Sequence, residues 1–234
     1  MDCDKDYGGD DVDFVEDQNV EDLEKLKRDF IKNQFQNCNV EEMERKTRKQ
    51  AFSPIWYREK SVQLTASNFG KVCRMRKLTS TANAVKAILY SSGLTTKSLE
   101  YGRTYERTAV QSFETNFGKK VDECGLFVDN EYPYLAASPD GLIGDTELLE
   151  VKCPYAARQM TVREGIEKKV ILYLFINKKG IIELKLKHPY MYQIQDQLRI
   201  TKRDICNFFV YTKKDHCCIQ IKKDNLFWET NMAP

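Results

Sequence analysis

One stretch limits the folds open to this chain more than any other: Ala137 to Pro154, which reads ASPDGLIGDTELLEVKCP. Leu148 to Cys153 has the length and apolar density of a buried strand. Side chains alternate across a strand, so Glu150 and Lys152 share one face and Leu149, Val151 and Cys153 the other. Burying a Glu and a Lys costs on the order of several kcal/mol unless partners compensate. Gly144-Asp145-Thr146 suits a three-residue hairpin loop. With Ile143 opposite Glu147, counting outward sets Asp140 opposite Glu150. Two carboxylates facing each other across strands repel unless a cation lies between them. Oxygen ligands of this kind favour a hard ion, Mg²⁺ or Mn²⁺. Lys152 then stands one strand step away, placed to orient or deprotonate a water. A salt-bridged hairpin, with Lys152 paired to either acid, satisfies the same pattern.

Two helical segments add polar groups to apolar faces. Leu99 to Phe117 predicts a helix closed by Gly118, with Ala109, Val110, Phe113 and Phe117 as its apolar stripe. Glu106 falls on that stripe, where a carboxylate needs a partner, unless it lies at the edge or pairs with Arg103. In Tyr190 to Leu198, Gln193 and Gln197 share a face with Tyr190 and Ile194. Amides there suit a water or a phosphate, or simply a polar helix surface.

Charge and length narrow the function classes. The 234 residues suit one domain with an appendage. The longest apolar run, Val170 to Ile176, is strand-sized, so no membrane span is expected. Met1 is followed by Asp2, Asp4 and Asp6 rather than by a secretory signal, which predicts an intracellular chain, nuclear or cytoplasmic and not secreted. The net charge of +2 hides a −7 segment over residues 1–17 and a +9 remainder, a hint of an anionic partner. Eight cysteines without a Cys-x-x-Cys pair read as buried free thiols. His188 and His216 are the only histidines, which leaves little room for a His-dependent nucleophile or a zinc site.

The order of elements predicts an α+β fold: a central mixed β-sheet flanked by helices, with an N-terminal helical extension. Residues 1–20 read as an acidic disordered leader and 21–52 as a surface extension of two helices. Residues 53–223 form the main domain, entered at Phe52-Ser53-Pro54. Within it, helices are expected over Thr65 to Met75, Ala82 to Ser91 and 155–169, with Gly93 as a break. Val170 to Ile176 and Ile181 to Leu186 flank a turn, and Ile205 to Tyr211 pairs with Cys217 to Ile221. Residues 224–234 read as a shortened final segment that would leave Phe227 and Trp228 poorly covered.

Five pieces in order resemble one family: Trp56 with Leu64-Thr65-Ala66-Ser67, Gly102 to Glu106, Ser138-Pro139-Asp140-Gly141, Leu149 to Pro154, and Tyr192 to Gln195. Together they look like the YqaJ-like viral recombinases, the lambda exonuclease family of the PD-(D/E)xK nuclease superfamily, from about Trp56 to Tyr211. The resemblance implies a restriction-endonuclease-like core and a Mg²⁺- or Mn²⁺-dependent deoxyribonuclease, an exonuclease that resects duplex DNA ends from the 5′ side. It implies metal ligation by Asp140, Glu150, the backbone carbonyl of Val151 and Glu106, with Lys152 and Gln193 as further catalytic residues. It places Ser67 near a terminal phosphate. Where the family has an arginine four residues after the tryptophan, this chain has Lys60, with Arg58 nearby; lysine keeps the charge without the planar fork. Basic residues such as Lys71, Arg74, Arg76 and Lys77 would follow the DNA backbone. By the same resemblance the partners are DNA, further copies of the chain and a single-strand annealing protein. Alternatives are an endonuclease or single-strand nuclease on the same fold, a catalytically weak or inactive DNA-binding module derived from a mobile element, and a protein adaptor working through the acidic tail.

Overall fold

A computed structural model describes residues 19–35, 39–76, 79–89 and 96–232. The expected leader, apart from its last two residues, lies outside them, as do the Gly93 break and Lys77. Contacts divide the chain into two units, residues 1–37 and 38–234. In the first, α1 (Val20–Phe35) is the expected helix, and its Leu23, Leu26 and Phe30 are exposed.

The second unit begins with α2 (Val40–Thr47), whose first turn is capped by Asn39. Its packing corrects the expectation of a surface helix. Glu44 and Thr47 are buried. The Gly125 amide donates to Glu44 Oε1 at 3.0 Å, and the Leu126 amide donates to Thr47 Oγ1 at 2.7 Å. The side chains of α2 therefore satisfy backbone groups of a distant segment that has no ladder partner of its own.

A 3₁₀ turn (Gln50–Phe52) leads to α3 (Pro54–Val62), with Ser53 as its N-cap and Pro54 in its first turn. Then follow β1 (Leu64–Thr65), α4 (Ala66–Cys73), α5 (Ala82–Leu89) and α6 (Lys97–Phe117). Gly118 ends α6 at φ 62°, as its sequence predicts. β2 (Phe127–Val128) and β3 (Leu135–Ala137) form a small sheet with β1, in the order β1-β3-β2.

The main sheet has the order β4-β5-β8-β9. β4 (Gly141–Ile143) and β5 (Glu147–Lys152) are antiparallel, with Ile143 opposite Glu147 as the hairpin count required. β5 runs parallel to β8 (Ile205–Tyr211), which pairs antiparallel with β9 (His216–Lys222). Between β5 and β8 the chain passes through α7 (Val162–Glu167), the hairpin of β6 (Leu174–Ile176) and β7 (Ile182–Leu184), and α8 (Pro189–Ile200). Residues 155–169 are thus not one helix. A 3₁₀ turn at Tyr155–Ala157 comes first, and Thr161 restarts the chain as α7 through a capping box with Glu164.

Helices cover both faces of the main sheet, which suits its parallel centre. On one face Leu148, Cys206, Phe208 and Val210 pack with Ile194 and Leu198 of α8. On the other, Leu149, Val151 and Phe209 pack with Ala109 and Phe113 of α6. The last helix, α9 (Asn225–Asn231), corrects another expectation: Trp228 is buried, its ring stacked on Phe69 at 5.6 Å between centroids, and Phe227 is half-buried. The described cysteines are free thiols, of which Cys124 and Cys206 are buried and the rest half-buried. No helix among the described residues is long and apolar enough to cross a membrane.

Candidate active site

The hairpin register carries Asp140 to the mouth of β4, opposite Glu150. The Asp140 amide donates to the Leu149 carbonyl at 3.1 Å, and Asp140 Oδ2 accepts from the Val151 amide at 2.6 Å. Gly144, at φ 54°, closes the turn that sets this register. Glu150 points to the α8 face and is buried. Its Oε1 accepts from Lys152 Nζ and from Gln193 Nε2 at 2.7 Å, and its Oε2 accepts from Gln197 Nε2 at 2.7 Å. Lys152 Nζ also lies 4.7 Å from the centre of the Tyr190 ring.

A cleft of about 960 Å³ is lined by Glu106, Asp140, Glu150, Lys152, Gln193 and Gln197. Ser67 and Lys60 line it as well. An adjoining cleft of about 470 Å³ is lined by Val151, Glu106, Asp140 and Lys152 and by Tyr155, Tyr173 and Tyr190. Arg58 lines neither cleft; its guanidinium is exposed and donates to Glu59. Lys60 Nζ sits 4.1 Å from the centre of the Trp56 ring, and Ser67 Oγ lies 3.1 Å from Thr65 Oγ1.

The electrostatics of the larger cleft are those of a crowded anionic site. Burial raises the pKa of Asp140 well above the usual carboxylate range, and the charges of Glu150 and Glu106 push it further. Burial and then Glu150 raise the pKa of Glu106. Burial works against the Lys152 ammonium, yet Glu150 and Asp140 outweigh it and hold its pKa above the ordinary lysine value. Lys60 goes the other way: burial and the neighbouring Arg103 lower its pKa.

The donor set fits a hard divalent cation by its chemistry: three carboxylates share a cleft, and burial together with their mutual repulsion holds Asp140 and Glu106 toward protonation. Their placement is open. Among the described residues no three His, Cys, Asp or Glu side chains stand where they would hold a metal ion as a finished cage. Glu150 is turned onto Lys152, whose ammonium occupies the position of countercharge.

The sequence named Trp56 only as a motif landmark and Gln197 only as a neighbour of Gln193 on one helix face, and it did not single out Gln50. Trp56 Nε1 donates to Ser138 Oγ at 3.1 Å, and Gln50 Nε2 donates to the Pro139 carbonyl at 2.9 Å, so the two residues before Asp140 are held from outside the sheet. Gln197 binds Glu150 directly. Its signal was the four-residue spacing from Gln193; Gln50 had no local signal at all.

A mixed sheet between helices, with an acid at the mouth of the first strand of a hairpin, an acid and a lysine on the second strand and a glutamate on the covering helix, has the architecture of restriction-endonuclease-like exonuclease folds. Residues 55–204 match the YqaJ-like viral recombinase domain, and the chain belongs to that family. Its fold is similar to LHK-Exo, an alkaline exonuclease from Laribacter hongkongensis, at 27% identity and TM-score 0.57 over 74% of this chain and 84% of that one. The structure of LHK-Exo with dAMP compares similarly, at 25% identity and TM-score 0.56 over 73% of this chain and 82% of that one. The uncharacterized protein R354 of Acanthamoeba polyphaga mimivirus is 25% identical over 223 residues, covering 84% of this chain and 37% of its own length. This chain thus spans little more than a third of that curated relative.

Proposed function

We propose that the nuclease domain, residues 53–223, hydrolyses phosphodiester bonds of DNA as a divalent-metal-dependent exonuclease acting at duplex ends. The observation that carries this reading is the Asp140–Glu150–Lys152 arrangement on one hairpin, facing a cleft that Glu106 and Gln193 also line. Membership of the viral recombinase family and likeness to an alkaline exonuclease support it.

Asp140, Glu150, Glu106 and the Val151 carbonyl would hold Mg²⁺ or Mn²⁺. When bound, the ion polarises a phosphoryl oxygen and lowers the pKa of water. The chain's own groups do the rest. Lys152, charged and anchored on Glu150, orients the attacking water and offsets charge that builds on the phosphate. Gln193 and Gln197 fix the Glu150 carboxylate through both oxygens. Ser67 and Lys60, on the same cleft, receive the phosphate at the strand end.

The test is digestion of end-labelled linear duplex with and without Mg²⁺, by the native chain and by Glu150→Ala. Loss of labelled ends by the native chain alone, only with metal, is the expected result. A covalently closed circle is expected to survive; its cleavage would replace the exonuclease reading with an endonuclease. A second reading, DNA binding without turnover, is favoured by the open placement of the three acids. It predicts equal retention of label by both proteins.

A further inference from the structure

Phe52 is 89% exposed, more than any other large apolar side chain among the described residues, and it lines the mouth of the larger cleft. Exposed phenyl rings are common on mobile loops. This one is on a fixed turn. Gln50 stands at φ 41°, a left-handed conformation unfavourable for glutamine, and its side chain holds it there by donating to the carbonyls of Cys124 and Pro139 at 3.0 and 2.9 Å. On the other side of the ring, Ser53 is buried, and its amide donates to the Gln50 carbonyl at 2.8 Å. The phenyl ring is thus presented to solvent by a backbone tied to the residue preceding Asp140.

Its cleft combines cations with apolar side chains, among them the exposed Leu99. Lys49, Arg103 and Arg107 line the same cleft, and all three are exposed. A nucleobase has an apolar face to stack on a phenyl ring and arrives on an anionic backbone that those cations attract. Phe52 also lies outside the residues matched to the family, 55–204.

We propose that Phe52 is a stacking platform for an unpaired nucleobase of the strand entering the cleft. The inference rests on the nuclease reading above and adds a contact made through the base.

The test is equilibrium binding, with a chelator present to prevent hydrolysis, of a 5′-phosphorylated single strand and of the same strand carrying abasic sites. The full chain is compared with Phe52→Ala and Phe52→Trp, after matching melting curves confirm that the surface changes leave the fold intact. Expected are about tenfold weaker binding of the base-containing strand by Phe52→Ala, unchanged binding of the abasic strand, and retained affinity in Phe52→Trp. Equal effects on both strands, or no effect, would overturn the platform while leaving the nuclease reading intact. Failure of the unaltered protein to bind the base-containing strand would likewise overturn the platform, whereas the nuclease reading stands or falls with the digestion of end-labelled duplex.

Discussion

Gln197 donates its side-chain amide to Oε2 of Glu150 at 2.7 Å. The donor is buried, and the bond leaves Gln197 Oε1 without a partner. The amide is therefore committed to the carboxylate at the expense of its own acceptor. That commitment makes sense where a buried anion must be held in one orientation, because a hydrogen bond to a charged group is worth about 1.5–3 kcal/mol.

Gln197→Met keeps the volume and removes the donor. It is expected to destabilise the metal-free protein by about 1.5–3 kcal/mol in urea unfolding with an unchanged m-value, and to lower nuclease activity. Unchanged stability would show that water replaces the amide at no cost.

The acid cluster sets a pH dependence. Burial and mutual repulsion raise the pKa of Asp140 and Glu106 in the fold, so the native state binds protons more tightly than the unfolded chain. Their contribution to stability is present in full below the unfolded carboxylate pKa and is lost as pH rises through the raised values. In chelator, Asp140→Asn is expected to lose less stability than the native chain as pH rises from acid to neutral. Mg²⁺ should flatten the native profile, because metal binding displaces those protons. Parallel melting profiles for the two proteins in chelator would contradict this.

Asp196 supplies a metal-independent counterpart. It is fully buried on α8, and neither carboxylate oxygen has a hydrogen-bond partner. Burial raises its pKa well above the usual range and Asp129 adds to this, with Arg199 opposing. The sign is the same: its contribution is lost as pH rises through the raised value. Asp196→Asn should match the native chain in acid and exceed it in stability as pH rises, with Mg²⁺ making no difference to the gap. Thermal melts across pH in chelator and in Mg²⁺ would expose the opposite trend.

The docking of α2 depends on a glycine. A Cβ on Gly125 would collide with the Glu44 carbonyl oxygen and with Thr47 Oγ1. Gly125→Ala is expected to cost about 1–3 kcal/mol through overpacking and to expose α2 to proteolysis. Limited digestion that leaves α2 protected would refute the clamp.

What the sequence made legible follows from distance along the chain. The register of β4 and β5 depends on a three-residue turn and strict alternation, so Asp140 and Glu150 could be set opposite each other by counting. The end of α6 at Gly118 was equally local. The Thr161 cap was a local signal too, and weighing it would have divided residues 155–169 correctly. The seat of Trp228 was beyond counting, because Phe69 lies far away in sequence. The same holds for Glu44 on Gly125 and Gln50 on Pro139. Helical periodicity reveals which face is apolar; it carries no information on which distant backbone group a polar side chain will satisfy.

The parallel pairing of β5 with β8 has a consequence in time. Glu150 lies opposite Phe208 in that ladder, and Gln193 and Gln197 on the intervening crossover hold its carboxylate. A ribosome that has finished the hairpin at Lys152 has made the acids and the lysine but neither the glutamines nor the neighbouring strand. The wall of the cleft closes only after residues 205–211 have emerged, and contacts of such sequence separation form late and slowly. A nascent chain of this protein is expected to remain harmless to nucleic acid until its sheet is nearly complete.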